Sequence, residues 1–269
     1  MKFKPRAKAT VFLGGGRITS ALIAGLRLAN YDKPIIVHDR HPAKLRQLKN
    51  QYRINVEPNL QQAVDQAELL IIAVRPDSVK ELLQQIGIDR PLTVVSLAAG
   101  VPIAKLRARL GPPVRWARAM PSPVCRIGRG LTALTFDHNF PRNMKVEIRK
   151  LFEQVGSILE IPDSQFDAFT VTFSPSHSYH ALAALATAGE RMGLNRKNAL
   201  TAAAHALADG ILSWREGEER LDKLIQEAAT PGGTAAATMQ AMDSSGYMRI
   251  IEKGLRAGRA RARNNAKLI

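Results

Sequence analysis

The stretch ATVFLGGGRITSALIAGLRLAN, Ala9 to Asn30, decides the fold. ATVFL reads as a short buried strand. Three glycines follow, and then a run whose apolar residues recur at helical spacing. Strand, Gly-rich turn and helix in that order open a strand–helix–strand unit. In that setting Gly14 allows the tight turn, and Gly16 lets an anion approach backbone N–H groups at the helix terminus.

Outward from this stretch the alternation continues. PIIVHD is a second strand, and HPAKLRQLKNQY a helix with a proline placed to start it. LLIIAVRP is a third strand, interrupted by Arg75-Pro76, and SVKELLQQI is helical. LTVVSLAAG is a fourth strand ending at Gly100. PIAKLRARLG and VRWARAMP continue as helix and strand. LTALTF and GSILEI are later strands around a helix near MKVEIRKLFEQV. Near-continuous apolar strands separated by helices predict a parallel, doubly wound sheet covered on both faces, an α/β Rossmann-like architecture.

The texture changes after Pro162. From about Ser174 the chain is rich in Ala, Leu, Met and charged residues. Ser174-Pro175 marks the start of a long apolar helix running to Met192. NRKNALTAAAHALADGILSW, ERLDKLIQEA, the run after TPGGT and the tail from Ser245 supply four more. The reading is two domains, 1–162 for a nucleotide and 163–269 an all-α dimerisation and substrate domain. The apolar positions on these helices exceed what one small bundle can bury, so a dimer interface is their natural sink.

Composition narrows the function classes. The chain has 269 residues, 45% of them hydrophobic and 23% charged, as in ordinary globular proteins. The N-terminal MKFKPRAKATVFL is basic and then only briefly apolar, too short for a signal-peptide core, and no stretch approaches a membrane span. Cys125 is the sole cysteine, so a reducing cytoplasm is the simplest setting. The formal charge is +16, and residues 1–161 carry most of it, with 26 Lys/Arg against 12 Asp/Glu. Those cations are scattered and aromatics are only 5%, which argues against nucleic acid and for a solvated basic surface that steers a polyanionic cofactor. The arginines of the tail GLRAGRARARNNAKLI suit an exposed helix end. No His/Cys cluster or HExxH run suggests a metal site.

Several short motifs carry chemistry. Gly14-Gly15-Gly16-Arg17-Ile18-Thr19 sits where a G-x-G-x-x-G/A dinucleotide turn is expected, with Thr19 at the third small position. At the end of the second strand, Asp39 is placed to accept from the ribose of NAD. Arg40, His41 and Lys44 beside it are placed to bind the 2′-phosphate of NADP. The balance leans to NADP, with NAD open. Ala73-Val74-Arg75-Pro76 and Ala98-Ala99-Gly100 end the third and fourth strands and should border the nicotinamide half.

Taken together, these motifs resemble the pyrroline-5-carboxylate reductase family along almost the whole chain. The counterparts are GGGRIT, AVRP at Ala73–Pro76, AAG at Ala98–Gly100, RAMPSPV from Arg118 and TPGGTA from Thr230. The resemblance implies NAD(P)H-dependent reduction of a cyclic imine bearing a carboxylate, giving proline. It also implies a Rossmann domain, a helical dimerisation domain, and a homodimer that often assembles further. By resemblance, Met120 and Ser122 border the imino-acid substrate, and Thr230, Gly232, Gly233 and Thr234 hold its carboxylate.

Three departures from the family pattern all fall on the substrate side. Ala235 stands where the family has a threonine that contacts the substrate nitrogen. Ser122 and Pro123 replace Asn and Thr. The helix entry GSGPAY has become Phe173-Ser174-Pro175-Ser176-His177-Ser178-Tyr179. His177 and Thr234 are the candidate proton donors, although His177 also reads as a solvent-facing helix residue. The alternative is a nucleotide-binding paralogue with altered or lost catalysis. His180 and His205 read as packing or surface residues, Cys125 as buried and inert, and Trp116 and Trp214 as core or interface.

Overall fold

The structure is a computed structural model and describes residues 9–269. Residues 1–8, the basic half of the N-terminal stretch, lie outside the described residues. Two compact units divide the chain. The first is Met1–Phe173 with Ala257–Ile269, and the second is Ser174–Arg256.

The first unit alternates strand and helix from its start. Its order is β1 (Ala9–Leu13), α1 (Arg17–Leu28), β2 (Ile35–His38), α2 (Pro42–Tyr52), β3 (Asn55–Val56), α3 (Leu60–Asp65), β4 (Ala67–Ile72) and α4 (Pro76–Gln85). Then come β5 (Leu92–Ser96), α5 (Ile103–Arg109), β6 (Val114–Pro121), a 3-10 turn (Pro123–Ile127), β7 (Gly130–Phe136), α6 (Arg142–Glu153), β8 (Gly156–Glu160) and α7 (Asp163–Thr172). One eight-stranded sheet results, in the order β3-β2-β1-β4-β5-β6-β7-β8. Neighbouring strands are parallel except β6 and β7.

The strand residues explain why both faces are covered. Successive side chains of a strand point to opposite faces. In β1, Val11 and Leu13 enter one core with Leu70, Val94 and Trp116, under α3, α4 and α5. Phe12 enters the other, with Ile71, Val95 and Ala117, under α1, α2 and α6. A strand that is apolar at every position can only be buried on both sides. Trp116 is in the core as expected, its ring N–H donating to the Leu110 carbonyl at 2.8 Å.

Local details depart from the sequence reading. Between β2 and β4 lie the two-residue β3 and the six-residue α3, which carry no periodic signal of their own. Asn59 starts α3 by accepting from the Gln62 N–H at 3.0 Å. The third expected strand stops at Ile72, and Pro76 begins α4 rather than ending a strand. The fourth stops at Ser96, not Gly100, and Gly100 itself has a left-handed φ of 76° that no strand accommodates. α7, immediately after Pro162, was not foreseen.

The second unit is helical: α8 (Ser176–Arg191), α9 (Arg196–Glu216), α10 (Leu221–Ala228), α11 (Thr234–Ser244) and the first part of α12 (Tyr247–Lys267). Helix α8 begins at Ser176, with Pro175 at the cap position and the Ser174 hydroxyl accepting from Ser176 N–H. The buried residues of the second unit are alanines, Ala186 on α8 and Ala199 and Ala203 on α9, with Leu182 packed against them. Tyr179, Ile211, Leu212, Trp214 and Ile225 are all about half exposed or more. A set of helices with an alanine core and so much uncovered apolar surface is incomplete alone. Among the described residues no helix is long and apolar enough to cross a membrane.

Candidate functional site

The switch point of the sheet lies between β1 and β4, where the strand order reverses, and ligands of such sheets bind beyond the carboxyl ends of the strands there. A cavity of about 510 Å³ opens at that place. Gly14, Gly16 and Arg17 line it from the β1–α1 turn, Asp39, Arg40, His41 and Lys44 from the end of β2, and Ala73, Val74 and Arg75 from the end of β4.

The glycine turn is shaped by its neighbours. Gly14 has φ 108°, and a Cβ there would stand 2.7 Å from the Ala73 carbonyl oxygen. Thr19 donates its hydroxyl to the Gly14 carbonyl at 2.6 Å, so the imperfect third position of the motif clamps the turn it belongs to. Gly16 is the opposite case, with nothing within 4 Å of where a Cβ would be. It caps α1 with no side-chain hydrogen bond and no acid in the first turn. The first N–H groups of α1 therefore face open space without a competing acceptor, as an anion requires.

Asp39 lines the cavity with its carboxylate already engaged by neighbours. One carboxylate oxygen accepts from the Gly15 N–H at 2.8 Å, and the other meets both the N–H and the ring Nδ1 of His41 at 2.9 Å. Lys44 stands 3.5 Å away. Burial pushes the Asp39 carboxyl up, but the Gly15 and His41 hydrogen bonds and the Lys44 charge outweigh it and hold it below the ordinary carboxylate value. The acid thus ties the end of β2 to the glycine turn. Around it Arg17, Arg40, His41, Lys44 and Arg75 present cations to the cavity, against Glu81 as the other lining acid. A polyanion with a phosphate near Arg40 and Lys44 fits this lining better than a ribose seeking an acceptor.

The remaining expected residues fall elsewhere. Ile18 is half-buried against the core and Pro76 opens α4, neither in the cavity lining. Ala98, Ala99 and Gly100 also lie outside that lining, and the open face of Gly100 is filled by the backbone of Ala262. Met120 is half-buried on β6, and the Ser122 hydroxyl caps the 3-10 turn by accepting from Val124 N–H at 3.1 Å. In the second unit, Gly232 has φ 76° and Gly233 caps α11, again with no side-chain cap and no acid in the first turn. Thr230 and Thr234 are exposed. His177 is exposed in the first turn of α8, its N–H donating to the Ser174 carbonyl at 3.2 Å. His180 and His205 are exposed too. Cys125 is buried and its thiol is pushed up to about 11 by burial, so it is neutral and unreactive. Among the described residues no group of three or more His, Cys, Asp or Glu could hold a metal ion.

One arrangement escaped the sequence reading. Arg118 is 1% exposed, reaches Asp163 at 2.5 Å and Asp167 at 3.3 Å, and lies 4.3 Å from the centre of the Phe166 ring. The signal was present in PDSQFDAF: two acids four apart share one face of a helix, with an aromatic between them.

The comparisons with known proteins match the two parts of the chain separately. The family described as "NADP oxidoreductase coenzyme F420-dependent" matches residues 10–100, and "Pyrroline-5-carboxylate reductase dimerisation" matches residues 163–265. Pyrroline-5-carboxylate reductase of Synechocystis sp. is 29% identical over 95% of this chain and 97% of its own length. That of Mycobacterium leprae is also 29% identical, over 93% and 94%. Among solved structures, the 1-pyrroline-5-carboxylate reductase of Streptococcus pyogenes superposes with a TM-score of 0.88 at 22% identity, covering 97% of this chain and 100% of that one. The Plasmodium falciparum enzyme, solved with NADP bound, gives 0.85 at 19% identity, covering 98% and 100%. A reductive aminase from Aspergillus terreus, in complex with NADPH, gives 0.62 at 16% over 98% of each. Relatives thus align along most of the chain and the dimerisation family is matched over residues 163–265, so this chain is similar to pyrroline-5-carboxylate reductases in both sequence and fold.

Proposed function

We propose that the protein is an NAD(P)H-dependent reductase of a C=N bond in a cyclic imino acid, taking pyrroline-5-carboxylate to proline or acting on a related imine. The observation that carries this is the cation-lined cavity at the switch point, in a chain collinear over its full length with such reductases. The residues fit a dinucleotide. Gly16 leaves room for a pyrophosphate against the first N–H groups of α1, and Arg40 and Lys44 favour NADP over NAD. The bound cofactor would supply the hydride, and the protein orientation and electrostatics.

On the substrate side, α11 repeats the device of α1: a glycine cap, an unopposed helix N-terminus, and here the Thr230 hydroxyl. Thr230, Gly232, Gly233 and Thr234 are the proposed carboxylate holders, with Met120 and Ser122 bordering the ring. His177 or Thr234 would deliver the proton that the imine nitrogen takes up, since Ala235 carries no hydroxyl.

Residues 1–162 would serve the cofactor and 163–269 dimerisation and substrate, with α7 and the end of α12 packing into the first compact unit rather than the second. The exposed apolar faces of α9 and α10 support a homodimer, from which a larger oligomer can be built. The lone buried Cys125 suits a reducing cytoplasm. A second reading, cofactor binding without turnover of pyrroline-5-carboxylate, rests on the departures at Ala235, at Ser122-Pro123 and at the entry to α8. The test is NADPH and NADH oxidation with pyrroline-5-carboxylate and with larger or smaller cyclic imines. Turnover of any supports the reductase. Tight cofactor binding with no turnover on all of them selects the second reading.

A further inference from the structure

The loop between β5 and α5, Ala98 to Pro102, lies beyond the carboxyl ends of the parallel strands. A dinucleotide held in the switch-point cavity as proposed would extend its reacting half toward this loop, beyond the cavity lining itself, and the inference below rests on that reading. Two helices hold this loop. From α12, Asn265 donates its amide N–H to the Ala99 carbonyl at 3.2 Å. Gly100 is packed so closely on the same helix that a Cβ would stand 2.7 Å from the Cα of Ala262, itself buried. From α7, Asp163 accepts the Ile103 N–H, the first of α5, at 3.2 Å while its other oxygen holds Arg118. The two helices also meet each other, since a Cβ on Gly258 would stand 3.1 Å from Val171 Cγ1.

The place of these helices in the chain gives the contacts their meaning. α7 is the last element before the chain enters the second unit at Ser174, and α12 is the element by which it returns at Ala257. Both chain connections therefore end on one loop of the cofactor domain. The Arg118 network is also a costly way to fasten it. The guanidinium is almost wholly buried and its Nε has no hydrogen-bond partner. Apolar side chains of similar size would stabilise the fold as well or better. What charged, directional contacts add is a single fixed position.

We propose that Asn265 and Asp163 are positioning residues for hydride transfer. Gripped by α7 and α12, the β5–α5 loop fixes where the reactive ring of the cofactor lies, and links that position to the two helices joining the helical unit. Neither residue acts on the substrate; each acts through the loop backbone.

The experiment uses the full-length protein and the variants Asn265→Ala and Asn265→Asp, which lose the donor, with Asp163→Asn as a second probe of the grip. Asn264→Ala, the exposed neighbour, is the control. Three quantities are read: hydrogen exchange of amides in the loop, NADPH affinity, and the emission of the bound reduced nicotinamide. Losing one hydrogen bond should raise loop exchange about five-fold and move the ring emission toward that of free cofactor. Affinity, anchored at the adenosine end, should change less than about two-fold. On a turned-over imine, kcat should fall about five-fold with KM for NADPH held. Loop exchange and ring emission equal to those of the parent in both Asn265 variants would overturn the proposal, as would the same changes in Asn264→Ala. Because exchange and emission need no turnover, absence of imine reduction would count against the proposed function and leave this result to stand on its own. If Asp163→Asn fails to fold, the Asn265 pair decides.

Discussion

Asp39 in the first unit and Thr230 in the second are both expected to lie near a bound anion, yet their surroundings differ. The Asp39 carboxylate is buried and met by the Gly15 amide, the His41 amide and ring, and Lys44. Thr230 is exposed, its hydroxyl donating only to the Glu227 carbonyl at 3.4 Å. The same contrast holds for apolar groups. Strands of the first unit are buried on both faces, whereas the second unit has an alanine core and leaves Ile211, Leu212 and Trp214 about half exposed. On the proposed function, the cofactor half of the site is finished within one chain and the substrate half is completed by a second copy. The cofactor should bind whether or not the chain is paired, and the substrate only when it is.

The sharpest way to break that comparison is to damage the finished half. Gly14→Val puts a β-branched side chain at φ 108°, with its Cβ 2.7 Å from the Ala73 carbonyl oxygen. The turn must open, at a cost of about 3 kcal/mol, so NADPH affinity should fall about a hundred-fold. Calorimetric titration of NADPH measures it. Retained affinity would mean that the cavity is not the cofactor site.

The next largest effect should come from the unfinished half. Ile211 and Trp214 lie three residues apart on α9, so they share one exposed face. Changing both to Asp places two charges on that face and should weaken dimerisation by about 4 kcal/mol, read by sedimentation. The resulting monomer should bind NADPH as before and lose imine reduction. A monomer that still reduces imine would end the contrast between the two units.

What the sequence made legible follows the same line. In the first unit, alternation of near-continuous apolar strands with helices exposed the sheet, because each element buries a full face within the chain. Its short pieces, β3 and α3, were hidden since two to six residues carry no period. The packing of Gly100 was hidden for a different reason. A glycine at a strand end reads equally as room for a ligand or as room for another backbone, and here Ala262, far along the chain, takes the space. Asp39 was legible as an acid at the end of β2, but not as one already engaged, because its partner Gly15 is brought to it only by the fold. On the substrate side the motifs were readable and their geometry was not, since those residues have few partners in the chain itself.

A smaller effect should restore what the substrate side lacks. Ala235→Thr adds a hydroxyl at the second residue of α11, an exposed position where it costs little. One new hydrogen bond to the imine nitrogen would raise kcat/KM for pyrroline-5-carboxylate about five- to ten-fold. Steady-state kinetics against a panel of imines would show it. A rise for a different imine, with none for pyrroline-5-carboxylate, would sharpen the comparison by naming the true substrate.

The smallest effect concerns Asp39, and its sign can be worked out. Its folded-state carboxyl titrates below the ordinary value of 3.8, because the hydrogen bonds from Gly15 and His41 and the charge of Lys44 outweigh burial. A depressed carboxylate stabilises the fold fully above its unfolded value, and that contribution is lost as pH falls through the folded value. The contribution should be present at neutral pH and disappear in strong acid. Asp39→Asn keeps the shape and part of the acceptor capacity but removes the charge that orients Lys44. Its melting temperature should lie slightly below the parent's at neutral pH, and the two curves should converge as the pH drops below about 4. If Asp39 were a ribose acceptor rather than a tie between β2 and the glycine turn, the neutral variant would lose NADH affinity and keep its stability. The internal tie predicts the reverse, a small loss of stability with the preference for NADPH over NADH preserved through Arg40 and Lys44.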